Sequence, residues 1–168
     1  MQIQVVMFHQ DDPTKCTAAK LVKFGLAKQF KKSSADDLRN IVLNPFAKDF
    51  VLNSDKDLAD SITGIDCSWE RAQDMFVKKF RGLSKKLPPL LAGNPVNYSK
   101  IGKLSTAEAI AGALYIMKYD DLAFSVLDKF KWGHTFFDLN KELLQDYSNA
   151  NSNEDVIQIS NEYQLNVI

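Results

Sequence analysis

Asp66 is the residue best placed to do chemistry. It follows the short apolar run ITGI at residues 62–65 and precedes Cys67, Ser68 and Trp69. A carboxylate at a strand's C-terminal end, just before a helix, is where α/β proteins present an acid to a ligand. The competing reading is an Asp that hydrogen-bonds its own turn. Trp69 is either core or an apolar face on which an adenine or a base stacks. A second constellation is the basic run VKKFRGLSKK, where Lys78, Lys79, Arg81, Lys85 and Lys86 surround Phe80 and Leu83. Cations at that density can meet phosphates, or simply end a solvated helix whose C-terminal dipole favours them. A third is FKWGHTFF, with His134 at its centre. No Ser or Cys nucleophile lies nearby, so it reads as a helix junction with packed aromatics. The fourth is the loop AGNPVNYSKIGKL, which forces turns and leaves amide donors free ahead of a helix start at Ser105. It is either a ligand loop or an ordinary connector.

These residues need a scaffold, and the apolar pattern supplies one. Residues 3–8 and 41–43 are β-branched, apolar runs that read as buried strands, the second closed by Asn44-Pro45. Between them KCTAAKLVKFGLAKQF reads as an amphipathic helix, with Thr17 as its cap and Leu21, Phe24, Ala27 and Phe30 on one face. Ser54-Asp55 caps a short helix through Leu58 and Ala59. Residues 62–65 form a third strand, Ser68 caps a helix from Trp69 to about Phe80, and residues 90–92 read as a fourth strand. Strand, loop and helix in alternation argue for a parallel α/β sheet. After residue 105 the chain turns helical. Ser105-Thr106-Ala107-Glu108 is a capping box, opening a helix to about Met117. Further helices follow at about 121–130 and 134–147, with a last one starting at 151–154.

Composition narrows the function. The chain has 168 residues, 45% hydrophobic and 25% charged, with Lys plus Arg and Asp plus Glu balanced at 21 each. That is a globular balance, and global charge does not decide for or against a nucleic-acid partner. Two cysteines, Cys16 and Cys67, and two histidines are too few and too scattered for a disulfide framework or a metal site. There is no basic, apolar leader and no run of about 18 apolar residues, so a cytoplasmic protein is expected. No Walker loop, GxGxxG, HExxH or paired CxxC occurs.

Four motifs in one order carry a resemblance: DPTKCTAAKL, GIDCSWERA, KLPPLLAGNPVNYSKIGKLSTAEAIA and KFKWGHTFFDLNKELL. Over about residues 3–147 the chain resembles the small-subunit rRNA aminocarboxypropyltransferases of archaea and eukaryotes. The resemblance implies a SPOUT-like fold: a small α/β N-terminal domain over residues 1–92, then a mostly helical, trefoil-knotted domain over residues 93–168. The cofactor would sit between them. It implies transfer of the 3-amino-3-carboxypropyl group of S-adenosylmethionine (SAM) to N3 of a pseudouridine, usually N1-methylated, in small-subunit rRNA. Methylthioadenosine leaves, and no metal is needed.

Residue by residue, the resemblance assigns Thr17 and Thr106 to the cofactor carboxylate and the Ile65 carbonyl to the ribose. Leu87 and Gly102 offer backbone to the adenine edge, while Leu43, Pro45 and Leu104 wall the ring. Trp69 and Ala72 form the pocket that holds the methyl away from RNA. Asp66 lies near the reacting methylene as a base or an electrostatic partner. Charge and neighbourhood, rather than motif identity, nominate Lys20, Lys23, Arg71, Lys78, Lys79, Arg81 and Lys131 for rRNA phosphates. The chain departs from the family pattern mildly, with Ala18, Gly93 and Ser99 where relatives commonly have other small residues. An iron–sulfur reading of the N-terminal region fails, because two cysteines cannot ligate such a cluster. The rivals are a SPOUT-like RNA methyltransferase using the same cofactor, and a non-catalytic rRNA-binding assembly factor. A monomer bound to rRNA or a pre-ribosomal particle is expected.

Overall fold

Residues 3–6, 41–43 and 61–65 are buried on both faces, the condition under which parallel sheets form. The computed structural model describes residues 1–8, 12, 14–31, 38–67, 71, 73–74 and 80–166. Among them are five strands: β1 (Gln2–Met7), β2 (Lys28–Gln29), β3 (Asn40–Leu43), β4 (Ser61–Asp66) and β5 (Leu83–Lys85). They form one all-parallel sheet in the order β2-β1-β4-β3-β5. The helices are α1 (Thr17–Lys23), α2 (Thr106–Ile116), α3 (Asp120–Asp128), α4 (Gly133–Asn149) and α5 (Asn153–Glu162). No helix among the described residues is long and apolar enough to cross a membrane.

Side chains alternate across a strand, so register decides which residues meet the helices. Ile3 pairs with Ile62, Val5 with Gly64 and Met7 with Asp66, while Ile41 pairs with Ile62 from the other side. Ile3, Val5, Ile41, Leu43 and Ile62 accordingly share one apolar core with α1 and the C-terminal helices. α2 lies on this face. It is buried nearly all round, from Ala107 to Ile116, as its sequence AEAIAGALYI demands of a central helix. Gly64 lets it approach: a Cβ there would stand 2.9 Å from Thr106 Cγ2 and 2.9 Å from Ile110 Cδ1.

Several sequence expectations need correction. The first helix stops at Lys23 and Gly25 turns the chain at φ +73°, leaving Phe24 exposed rather than on a buried face. Lys28–Gln29 then adds an edge strand. The 54–59 segment is a 3-10 turn, Asn53–Asp57, preceded by Leu52. Leu90 and Ala92 are buried as expected, but residues 90–92 join no sheet; Leu91 makes only an isolated bridge to Ile101. The strand after β4 is instead β5, inside the basic run. Most of the helix expected at 69–80 lies outside the described residues.

Candidate functional site

All five strands point their C-terminal ends the same way, and ligands of open α/β sheets bind beyond such ends. There lies a cavity of about 240 Å³. Its walls come from the end of β3 and the loop after it (Leu43, Pro45, Phe50), from Gly64 and Ile65 of β4, and from residues 86–89, 101–102 and 104–106. Of the ten positions expected to hold the cofactor, seven line it: Leu43, Pro45, Ile65, Leu87, Gly102, Leu104 and Thr106. Thr17 does not line it but lies next to it, its Oγ1 accepting a hydrogen bond from the amide of Ala107, the neighbour of lining Thr106, at 3.1 Å. The starts of α1 and α2 therefore meet. Trp69 and Ala72 lie outside the described residues. Lys86 and Asn166 also line the cavity and were not foreseen; Asn166 belongs to the tail beyond the motif-bearing region.

Asp66 sits at the junction of the two helix starts. One carboxylate oxygen accepts from the Thr106 hydroxyl at 3.1 Å, and the other from the Cys16 thiol at 3.1 Å. Asp66 shares its strand face with Gly64, so the glycine that admits α2 also brings Thr106 within reach. Cys16 was unassigned in sequence, yet it replaces Thr17 as the α1 cap, accepting from the Ala19 amide at 3.3 Å. Burial first, and then Asp66, push its thiol from the ordinary 9.0 to about 11. At neutral pH Cys16 is thus a protonated donor to Asp66.

The loop that carries Leu87, Gly102 and Leu104 is held from below by two buried polar residues. Glu108 is fully buried; one oxygen accepts from the Gly93 and Asn94 amides at 2.6 and 3.0 Å, the other from Ser105 N at 2.7 Å and Asn94 Nδ2 at 2.8 Å. The capping box foretold the Ser105 bond but not the loop. Asn140, in the middle of α4, pairs with Leu91 as a strand would, accepting from its amide and donating to its carbonyl, both at 2.8 Å. Gly93 lies directly on α4, where a Cβ would stand 2.5 Å from the Phe136 amide nitrogen.

The model of a family described as "Ribosome biogenesis protein, C-terminal" matches residues 41–164. The 16S rRNA aminocarboxypropyltransferase of Methanobrevibacter smithii is 42% identical over 168 residues, covering 96% of this chain and 97% of its own. The enzyme of the same name from Sulfurisphaera tokodaii is 38% identical, covering 96% and 95%. The chain belongs to the 16S rRNA aminocarboxypropyltransferase family. A solved member, the SAM-dependent rRNA:acp-transferase Tsr3 from Vulcanisaeta distributa, superposes with a TM-score of 0.87 at 36% identity, covering 98% of this chain and 90% of that one.

A second family model, a possible Fer4-like domain in RNase L inhibitor, matches residues 1–33. That stretch holds one cysteine, Cys16, whose thiol serves Asp66. A cluster needs about four thiolates, so the donor set does not fit. Aminocarboxypropyltransferase relatives share this segment, and here it forms β1, α1 and β2 of the sheet.

The basic residues divide. Lys85 is drawn inward to buried Asp55 at 3.3 Å, and Lys86 Nζ stands 4.6 Å from the Phe50 ring centre. Both serve the fold. Lys20 Nζ lies 5.9 Å from the Phe130 ring centre, on the side that bears exposed Lys131. Lys23, Arg71 and Arg81 are exposed, whereas Lys78 and Lys79 lie outside the described residues. His134 is exposed, pairs with Asp138 at 3.1 Å and stands apart from the cavity.

The Cys16 thiol carries a testable pH dependence. Its folded pKa exceeds the unfolded value, so the stability it contributes is complete below about pH 9 and is lost as pH rises towards 11. Urea unfolding across that range should show a fall in stability that flattens in Cys16→Ser, whose hydroxyl does not titrate there. Equal slopes for both proteins would remove Cys16 from this role.

Proposed function

We propose that this protein transfers the 3-amino-3-carboxypropyl group of SAM to N3 of a pseudouridine-type base, usually methylated at N1, in small-subunit rRNA. The observation that carries the reading is a cavity lined by seven of the ten positions that the resemblance assigns to the cofactor, one of them Thr106, whose hydroxyl donates to Asp66 and whose neighbour Ala107 donates to Thr17. SAM supplies a sulfonium with three electrophilic carbons, and the product depends on which one is aligned and exposed. Leu43, Pro45 and Leu104 give the apolar walls an adenine requires, and Leu87 and Gly102 give backbone for its edge. The starts of α1 and α2, at Thr17 and Thr106, suit the amino-acid carboxylate. Trp69 and Ala72 are assigned to covering the methyl, leaving the propyl methylene open to RNA.

In the transfer N3 bonds to that methylene, the carbon–sulfur bond breaks, and its electron pair stays on methylthioadenosine. The N3 proton must leave. Asp66, already oriented by Cys16 and Thr106, is the carboxylate assigned to take or steer it. The acceptor RNA is assigned to Lys20, Lys23, Arg71, Lys78, Lys79, Arg81 and Lys131. The same reading carries a trefoil-knotted, SPOUT-like arrangement, with the cofactor at the seam of residues 1–92 and 93–168. It also carries a monomer acting on rRNA or a pre-ribosomal particle in the cytoplasm.

Labelled SAM tests the reaction. Label from the carboxyl end should appear in small-subunit rRNA after incubation with the protein. Transfer of methyl label alone would make it a methyltransferase, and absence of SAM binding by calorimetry would leave an assembly factor.

A further inference from the structure

The cavity's outer rim carries a feature that cofactor binding does not use. The loop between Gly93 and Leu104 is pinned at its base by Glu108 and by Asn94, whose side-chain oxygen accepts from the Asn97 amide at 3.0 Å. It closes on itself through Ser99 N to the Ala92 carbonyl at 2.7 Å and Gly102 N to the Leu90 carbonyl at 2.9 Å. On this anchored frame Val96 is 82% exposed, Tyr98 58% and Ile101 46%. Among the described residues no hydrogen bond or ring contact engages the Tyr98 side chain, and no ion pair engages Lys100. Anchored backbone under exposed apolar side chains is the arrangement of a contact surface rather than of a slack loop.

Charge decides what fits it. The loop itself, residues 93–104, carries Lys100 and Lys103 and no acid, in a protein with 21 basic and 21 acidic residues overall. An aromatic ring flanked by lysines is how proteins hold an unpaired nucleotide, the ring stacking on a base and the ammonium meeting its phosphate. The rim is also continuous with the cavity, since Ile101 and Gly102 belong to both.

We propose that this loop seats the acceptor RNA: Tyr98 stacks on an unpaired base neighbouring the target nucleotide, and Lys100 contacts the phosphate beside it. The proposal rests on the aminocarboxypropyl-transfer reading, and it adds an RNA contact to the basic residues named above.

Fluorescence anisotropy with a labelled RNA hairpin, carrying N1-methylpseudouridine in its single-stranded loop, tests it against the full chain. Tyr98→Ala should weaken RNA binding about tenfold and Tyr98→Phe by less than about twofold, since stacking needs the ring and not the hydroxyl. Lys100→Ala should weaken binding and lower the salt slope by about one. SAM affinity by calorimetry and the melting temperature should stay at wild-type values in all three. Wild-type RNA affinity in Tyr98→Ala overturns the proposal, as does an equal loss in Tyr98→Phe. A defect seen only with whole pre-ribosomal particles, and not with the hairpin, overturns it in favour of a protein partner. Failure of the transfer reading registers separately, as wild-type protein that moves no carboxyl label.

Discussion

Asp66→Asn should lose transfer while still binding SAM. The carboxylate now accepts from two donors, the Thr106 hydroxyl and the Cys16 thiol. An Asn can keep one of these bonds with its oxygen. Its amide must donate to the other partner, and the Thr106 hydroxyl can turn to accept. The junction of α1 and α2 therefore survives, at a cost on the order of 1 kcal/mol. What disappears is the negative charge and the proton acceptor that the proposed reaction places beside the reacting methylene. A lost general base lowers the rate by about 100-fold or more. Single-turnover transfer to RNA, beside calorimetric SAM affinity, separates the two effects. Unchanged turnover would remove Asp66 from the chemistry; an equal fall in affinity and rate would make it a binding residue.

Glu108→Ala should cost more than any other single change near the site, although Glu108 is not proposed to touch the cofactor. Its two oxygens satisfy four N–H donors in a fully buried setting. Each buried donor left without a partner costs about 1–3 kcal/mol, so a loss of at least about 3 kcal/mol follows even if water enters the space. For a chain of this size that lowers the melting temperature on the order of 10 °C. Glu108→Gln should not rescue it. The carbonyl can serve Gly93 and Asn94, but the amide then directs its own hydrogens at the donors on Ser105 and Asn94. Because the same loop carries Leu87, Gly102 and Leu104, SAM affinity should fall with stability. Thermal unfolding with and without SAM reads both, and a Gln variant melting within about 2 °C of wild type, a change of about 1 kcal/mol or less, would refute the account.

Local chemistry was legible from the residues in order. β1, β3 and β4 are short β-branched runs with nothing else to become, and Ser105 with Glu108 marks the start of α2 unaided. Motif by motif, the sequence also named seven residues that line one cavity. β5 was hidden because Leu83–Lys85 lies in a basic run that reads as a helix end. Only Asp55, buried 30 residues away in the chain, makes Lys85 an inward-facing strand residue. The opposite error arose at residues 90–92, whose apolar burial reads as a strand. Leu91 instead pairs its backbone with the Asn140 side chain, while Leu90 and Ala92 bond to the loop at Ser99, Lys100 and Gly102, and a lone Asn among helical residues gives no sign of that task.

Sequence alone therefore determined the family, the parallel α/β class, the helix start at Ser105 and the chemical types at the site. These depend on side chains a few residues apart and on apolar period. Tertiary structure alone decided that Asp66 meets Cys16 and Thr106, 50 and 40 residues away, and that the loop above the cavity stands on Glu108 and Asn140. The reason is geometric. Register puts Gly64 and Asp66 on the same face of β4, the missing Cβ lets α2 settle there, and no local pattern in the chain encodes that approach.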